Sequence, residues 1–161
     1  MGIQIDTAQT PEKYICYKDK ILPWFIDMMQ EYEAQISPLM KKLNELYKCN
    51  QRGQYSDDIG RLTEESKVLK SKILSEHISE SIFVSSFDSS PTRFCYFSAE
   101  CSLKFIMKTS KKASVIAKTN DKYGSDIWHK FEFRPNDEIW KLDKMYLSYE
   151  SENGPYKRFD F

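Results

Sequence analysis

The chain has 161 residues, with 24 basic and 24 acidic side chains and therefore a formal net charge of zero at pH 7. A chain of this length is typical of one domain, here residues 1–161, that buries roughly two thirds of its unfolded surface. The balanced charge argues against a general nucleic-acid binder, and the absence of a signal peptide or a membrane-spanning apolar stretch favours a cytoplasmic protein that does not bind membranes.

The first half of the chain has the periodicity of helices. The segment 10–12, TPE, marks a helix start, because proline is tolerated in a first turn. Over residues 24–47 apolar side chains recur at three- and four-residue spacing, which is typical of a helix that buries one face. Pro23 predicts a kink or a restart, and Pro38 predicts a bend or break at Ser37.

A second helix is predicted after the connection at 50–55. Ser56 is the expected N-cap, and the acidic residues Asp57 and Asp58 lie in the first turn, where the helix dipole favours negative charge. This helix is predicted to run to about His77. Its buried face is expected to consist of Ile59, Leu62, Leu69 and Ile73.

From Ile82 onwards the pattern changes to the alternation that is typical of strands. Residues 100–109 and 113–118 predict one hairpin, and residues 127–134 and 139–147 predict a second, with Pro135 ending its first strand. Short strands are also expected near Ile82 and Tyr156. Helices followed by strands predict an α+β fold, with N-terminal helices packed on a strongly curved antiparallel sheet that forms a cone-like half barrel.

The second hairpin carries the residues with the most versatile chemistry. Alternation places His129 beside Phe131 on the apolar face, where we predict a core imidazole that is hydrogen-bonded to a neighbour. Asp143 is predicted to be a hydrogen-bonded or paired carboxylate at the surface. With His77 and His129 as the only histidines, no metal site or cofactor is expected.

An enzymatic alternative remains open, because a cone can enclose a ligand cavity. A small-molecule isomerase or lyase would use Asp143 or His129 as the base and Tyr96 or Tyr146 as the proton donor. This alternative follows from fold-level analogy alone. It requires a cavity that is not filled by Phe105, Met107, Phe131 and Phe133.

Aromatic residues beside acids and amides are typical of protein-binding surfaces. The chain has ten tyrosines, ten phenylalanines and three tryptophans, and two loops, KYGSDIW and SENGPY, combine them with such polar groups. The predicted partner-binding residues are Tyr123, Asp126, Trp128, Glu152 and Tyr156. A core position for these aromatic residues is an equally good interpretation.

No binding role is predicted for the other basic residues or for the cysteines. Six lysines flanked by acids are interpreted as solvated rather than as a phosphate-binding track; they are Lys67, Lys70, Lys72, Lys108, Lys111 and Lys112. The cysteines form no C-x-x-C pair and are expected to be free, buried or half-buried thiols; they are Cys16, Cys49, Cys95 and Cys101.

Three parts of the chain, in order, resemble the sequence of one known family. The helical WFIDMMQEYE is similar to that family's aromatic-Met-x-x-Trp-Glu segment, with Tyr32 where tryptophan is usual and Glu33 matching. SFDSSPTRFCYFSAE is similar to its Ser- and Pro-containing turn followed by an aromatic residue and a glutamate, with Ser90 and Pro91 in the turn. KASVIAKT, HKFEFRPNDEIWKLDKMYLS and GPYKRFDF resemble its closing strands.

The family is that of the bacterial immunity proteins with a nuclear transport factor 2-like fold, which are encoded beside polymorphic toxins. The resemblance implies a nuclear transport factor 2-like cone and a non-enzymatic role, in which the protein binds a cognate toxin domain and neutralises it by direct contact. The matching residues are interpreted as scaffold. A homodimer is also compatible with the pattern, because antiparallel sheets commonly leave one face open.

Overall fold

The computed structural model describes residues 3–50, 52–74, 76–82, 102–120, 123–159 and 161. The helices in this part of the chain are α1 (Glu12–Ile15), α2 (Lys18–Cys49) and α3 (Ser56–Leu74). The strands are β1 (Gln4–Asp6), β2 (Ser102–Thr109), β3 (Lys112–Asn120), β4 (Asp126–Asn136), β5 (Ile139–Ser148) and β6 (Lys157–Phe159). They form one sheet in the order β1-β2-β3-β4-β5-β6, so the fold is α+β, as predicted.

The sheet differs from the predicted one in two respects. It is mixed, because β1 pairs in parallel with β2 while the other neighbours are antiparallel. It is also not strongly curled, so the strongly curved antiparallel sheet is wrong. None of the six described strands contains a glycine, the residue at which sheets bend most sharply. The nuclear transport factor 2-like cone stays a prediction, and the stretch 86–100 that carries part of the family resemblance lies outside the described residues.

Both predicted hairpins are confirmed by the strand register. Phe105 of β2 lies opposite Val115 of β3, and Phe131 of β4 lies opposite Met145 of β5. Strand β4 continues through Pro135, which lies opposite Trp140, so the prediction that Pro135 ends the strand is wrong. The strand expected near Tyr156 is present as β6.

Helix α2 runs without interruption for 32 residues, and both Pro23 and Pro38 lie inside it. The predicted break at Pro38 is therefore wrong. A proline in a helix interior costs about 3 kcal/mol, but the buried face of α2 continues on both sides of Pro38 through Ile36 and Met40. Burial of this face outweighs the local cost.

Helix α3 begins at Ser56, but this residue is not the N-cap. The Ile59 amide donates to the carbonyl oxygen of Tyr55, and the hydroxyl of Ser56 donates to the carbonyl oxygen of Gly53 at 2.7 Å. The Ser56 side chain therefore closes the preceding turn, where Gly53 has a φ of 72°, and does not accept from the helix.

The core lies between the helices and one face of the sheet, here called the inner face. Phe25 of α2 is fully buried, and its ring centroid lies 4.9 Å from those of both Phe131 and Phe133. The fully buried members of the inner face are Leu103, Phe105, Met107, Ala113, Val115, Ala117, Phe131, Phe133, Leu142 and Met145. The inner face is thus closed by hydrocarbon.

A β-bulge interrupts the second hairpin at Asp143. Glu132 lies opposite Lys144 and Phe133 lies opposite Leu142, so Asp143 is the extra residue of β5. The segment 76–82 attaches to β5 beside this bulge, because the Leu142 amide donates to the carbonyl oxygen of His77 at 2.8 Å. Near Ile82, where a strand was predicted, the described residues form only an isolated bridge, between Ile78 and Leu142.

Replacing Phe25 with alanine tests the contact between α2 and the inner face. We expect Phe25→Ala to lower the free energy of unfolding by about 3–5 kcal/mol, because it leaves a cavity between two phenylalanine rings. Urea unfolding measures this change. The control Val68→Ala removes a side chain that is 60% exposed on α3 and should cost less than about 0.5 kcal/mol. Equal effects of the two substitutions would contradict the packing described here.

Candidate functional site

The face of the sheet opposite the inner face, here called the outer face, carries most of the charged and aromatic strand residues. The register places Lys130 of β4 between Ile116 of β3 and Tyr146 of β5. Ile116 in turn lies opposite Lys104 of β2. The residues of the outer face include Lys104, Ile106, Lys108, Lys112, Ser114, Ile116, Lys118, Asp126, Trp128, Lys130, Glu132, Lys144 and Tyr146.

The segment 149–156, which follows β5, crosses this outer face. Its Glu152 carboxylate pairs with the Lys104 ammonium of β2 at 2.5 Å. Its Tyr156 ring lies 5.3 Å from the Lys130 ammonium and 6.4 Å from the Tyr146 ring. The segment therefore spans the sheet from β5 to β2 and covers part of the outer face.

Hydrogen bonds within the segment 149–156 fix the position of Tyr156. Its hydroxyl donates to the carbonyl oxygen of Glu152, and the Ser151 hydroxyl donates to the carbonyl oxygen of Gly154 at 2.8 Å. Burial raises the pKa of the Tyr156 phenol above its ordinary value of 10, and the nearby Glu152 carboxylate raises this pKa further. The phenol is therefore neutral at physiological pH and acts as a hydrogen-bond donor.

A groove with a volume of about 440 Å³ lies between the segment 149–156 and strands β2 and β3. Ile106 and Ile116 contribute apolar surface to it, and the Tyr156 ring forms part of its wall. Three of its lining residues are the lysines Lys108, Lys112 and Lys130. The groove thus combines an apolar floor with basic and aromatic walls.

The charges around the groove are unbalanced. Glu132 is only 5% exposed, and its Oε1 lies 3.0 Å from Lys112 Nζ and 3.7 Å from Lys130 Nζ. One buried carboxylate is thus shared by two ammonium groups. Lys108 is exposed and forms no ion pair with any described residue. With the Lys104 and Glu152 pair included, four lysines and two glutamates leave a formal charge of +2.

Four of the five predicted partner-binding residues lie on or over the outer face. Lys118 joins two of them, because its ammonium lies 3.3 Å from Asp126 Oδ2 and 5.7 Å from the Trp128 ring centroid. Glu152 and Tyr156 lie over the same face, in the segment 149–156. Tyr123 lies before β4 and is 81% exposed. Their contact with a partner stays a prediction.

The lysines of the groove were not predicted as a site. Lys67, Lys72 and Lys111 are exposed, as expected for solvated side chains, but Lys108 and Lys112 line the groove. Lys70 is fully buried, so its interpretation as solvated is wrong. It lies three residues before Ile73 on the buried face of α3. The even spacing of Lys104 and Lys108 along β2 is the signal that could have placed them on one face.

The residues proposed for the enzymatic alternative have structural partners. The His129 imidazole is 3% exposed, and its Nε2 lies 3.1 Å from Thr119 Oγ1. Asp143 accepts from the Ser79 hydroxyl at 2.8 Å and pairs with Arg134 Nε at 3.3 Å. The predicted hydrogen bonds of both residues are confirmed, but the Asp143 side chain is only 15% exposed, so it is not at the surface as predicted. Tyr146 lies on the outer face, and Tyr96 lies outside the described residues.

The described cysteines lie outside the strands of the sheet. Cys16 and Cys49 are exposed at helix ends, so their predicted burial is wrong, and Cys95 and Cys101 lie outside the described residues.

Within the described ranges, no group of three or more His, Cys, Asp or Glu side chains could hold a metal ion. The helices of the same ranges include none that is both long and apolar enough to cross a membrane.

No protein-family model, curated protein or solved structure matches this chain.

Two glycine substitutions test the backbone of the segment 149–156. Gly154 has a φ of 101°, and a Cβ atom there would lie 3.1 Å from the Tyr156 amide nitrogen. We expect Gly154→Ala to lower the free energy of unfolding by about 1–3 kcal/mol, because it strains the backbone and displaces Tyr156. Urea unfolding measures the change in the free energy of unfolding.

The matched control is Gly60→Ala. Gly60 lies in α3, where an added Cβ atom meets nothing within 4 Å, so alanine should raise the free energy of unfolding by about 0.5–1 kcal/mol through its higher helix propensity. A Gly154→Ala protein as stable as the wild type would show that the segment does not need this conformation.

Proposed function

We propose that this chain is an immunity protein that binds a cognate bacterial toxin domain in the cytoplasm and neutralises it by direct protein–protein contact. The observation that carries the proposal is the outer face, where half-buried aromatic rings lie among charged groups on a six-stranded sheet. The sequence resemblance to immunity proteins supplies the class of partner. The nuclear transport factor 2-like cone implied by that resemblance is part of the same proposal.

The outer face has the composition of an energetically important protein interface. Tryptophan and tyrosine are enriched among residues whose truncation costs most binding energy, and Trp128, Tyr146 and Tyr156 lie on or over this face. Lysine ammonium groups lie over these rings, Lys118 over Trp128 and Lys130 over both tyrosines. Side chains that are ordered before binding lose less entropy in a complex.

Neutralisation by contact requires a surface of ordinary interface size. A stable complex buries about 800 Å² on each partner, which is more area than the groove alone offers. The outer face, the segment 149–156 that crosses it and the exposed Tyr123, which precedes β4, would supply the area for such a contact. The buried inner face supports this surface from behind, because the helices pack against it.

The small-molecule isomerase or lyase is the alternative from another class of function. Its cavity would have to open on the inner face, where Phe105, Met107, Phe131 and Phe133 are fully buried. Its candidate base Asp143 is engaged by Ser79 and Arg134. These contacts favour the binding protein over the enzyme as the proposed function.

The test is complex formation with the product of the adjacent gene. We expect a 1:1 complex by light scattering, rescue of cells that express this product, and no turnover of small molecules. Trp128→Ala and Tyr156→Ala should each weaken the affinity at least about tenfold, as truncation of a hot-spot residue does. Isothermal titration calorimetry measures the change in Kd.

Tyr47→Ala is the matched control, because Tyr47 is an exposed tyrosine on α2, and its affinity should equal that of the wild type. Absence of both a complex and cell rescue would reject the proposed function. A homodimer that occupies the outer face, detected by light scattering of the chain alone, would also reject a toxin contact on this face.

A further inference from the structure

The basic groove offers ammonium groups that are not saturated by the protein's own carboxylates. Each lysine ammonium has three donors, and the Glu132 carboxylate is shared between Lys112 and Lys130. The Lys112 side chain is 42% exposed, so its ammonium can reach a second acceptor. Lys108 has no carboxylate partner within the described residues. An incoming anionic group would therefore meet ammonium groups that the protein's own carboxylates leave partly open.

The groove is also partly apolar, which restricts the kind of anion that fits. Ile106 and Ile116 lie between the lysines, and the Tyr156 ring adds aromatic surface. Side-chain carboxylates carried on a polypeptide would pair with the lysines while neighbouring aliphatic side chains cover the isoleucines. Gln9 and Asn153 at the groove can hydrogen-bond the backbone of such a segment.

Nucleic acid fits the same groove less well. A nucleic-acid strand carries a phosphate at every nucleotide and is bound along an extended basic track. The groove itself holds three lysines, Lys108, Lys112 and Lys130, in a volume of about 440 Å³, and the Glu132 and Glu152 carboxylates lie beside them. A few carboxylates with aliphatic neighbours match this short pattern of charge better than a continuous phosphate backbone does.

From this complementarity we infer that the groove between β2, β3 and the segment 149–156 binds an acidic polypeptide segment with aliphatic side chains. The assignment of that segment to a toxin domain rests on the proposed function. The preference of the groove for an acidic peptide is inferred separately, from its lysines and isoleucines. In a complex, the acidic segment would add to the aromatic contacts of the outer face and set the orientation of the partner.

A peptide titration of the full chain tests this inference. The probe is a short fluorescein-labelled peptide of repeated Glu-Asp-Leu, and its neutral counterpart is the same peptide with Gln-Asn-Leu repeats. Fluorescence anisotropy should show binding of the acidic peptide alone. Because the groove lysines are partly exposed, the affinity should fall when salt is raised from about 0.05 M to about 0.5 M, as the Debye length shortens.

Two charge reversals on neighbouring residues locate the binding site. Lys108→Glu should weaken acidic-peptide binding at least about tenfold, because it places a carboxylate in the groove. Lys111→Glu makes the same change of charge on an exposed residue of the β2–β3 turn that does not line the groove, and it should change the affinity less than about threefold. Urea unfolding checks that both variants are folded.

Three results would overturn the inference. The first is equal affinity for the acidic and neutral peptides. The second is an equal loss of acidic-peptide affinity in Lys108→Glu and Lys111→Glu. The third is that the protein binds a single-stranded oligonucleotide more tightly than an acidic peptide of the same charge.

Binding of the adjacent gene product to Lys108→Glu and Lys111→Glu distinguishes a failure of this inference from a failure of the proposed function. If the adjacent gene product binds both variants equally, the assignment of the acidic segment to the toxin domain is wrong while the immunity function stands. If that product does not bind, but the acidic peptide distinguishes the two variants, the groove assignment stands and the immunity function is wrong.

Discussion

The packing of Phe25 between Phe131 and Phe133 determines which surface of this protein is open to a partner. The two strand rings lie on the inner face, each 4.9 Å from the helix ring, and Trp24 adds an edge contact to Phe133 at 5.8 Å. Because these contacts join α2 to the centre of the sheet, the inner face is covered by helix and filled with hydrocarbon. The outer face is the side of the sheet that stays open for the proposed contact.

The bulge at Asp143 shows how a residue that resembles a catalytic group serves the fold. As the extra residue of β5 it does not pair across the hairpin, and its carboxylate accepts from Ser79 and pairs with Arg134. The segment 76–82, which follows α3, is attached to the sheet by this carboxylate and by the backbone of Leu142. The charge of Asp143 is thus used to connect the helical and strand halves of the protein.

The spacing of apolar residues along the chain was sufficient to predict the elements that are set by residues close together in sequence. Alternation identified both hairpins, and helical spacing identified the buried faces of α2 and α3. Strand β1 escaped prediction because three residues cannot display a period and its partner Ser102 lies far along the chain. The uninterrupted helix at Pro38 also depends on tertiary packing, which no local rule contains.

The candidate site was only half predictable, for the same reason. Aromatic residues beside acids pointed to Trp128 and Tyr156 in separate loops. Their position on one face depends on the segment 149–156 crossing the sheet to Lys104, a contact between residues distant in sequence. The basic groove was missed because its lysines come from three different strands, and only the register brings them together.

Lysine footprinting of the complex tests most directly whether the outer face is the recognition surface. The free chain and its complex with the adjacent gene product would be acetylated in parallel and compared by mass spectrometry. We expect slower acetylation of Lys108, Lys112 and Lys130 in the complex, with unchanged rates at Lys41 and Lys67, which are exposed on α2 and α3. Protection of the helix lysines with unchanged rates at the groove lysines would contradict this expectation.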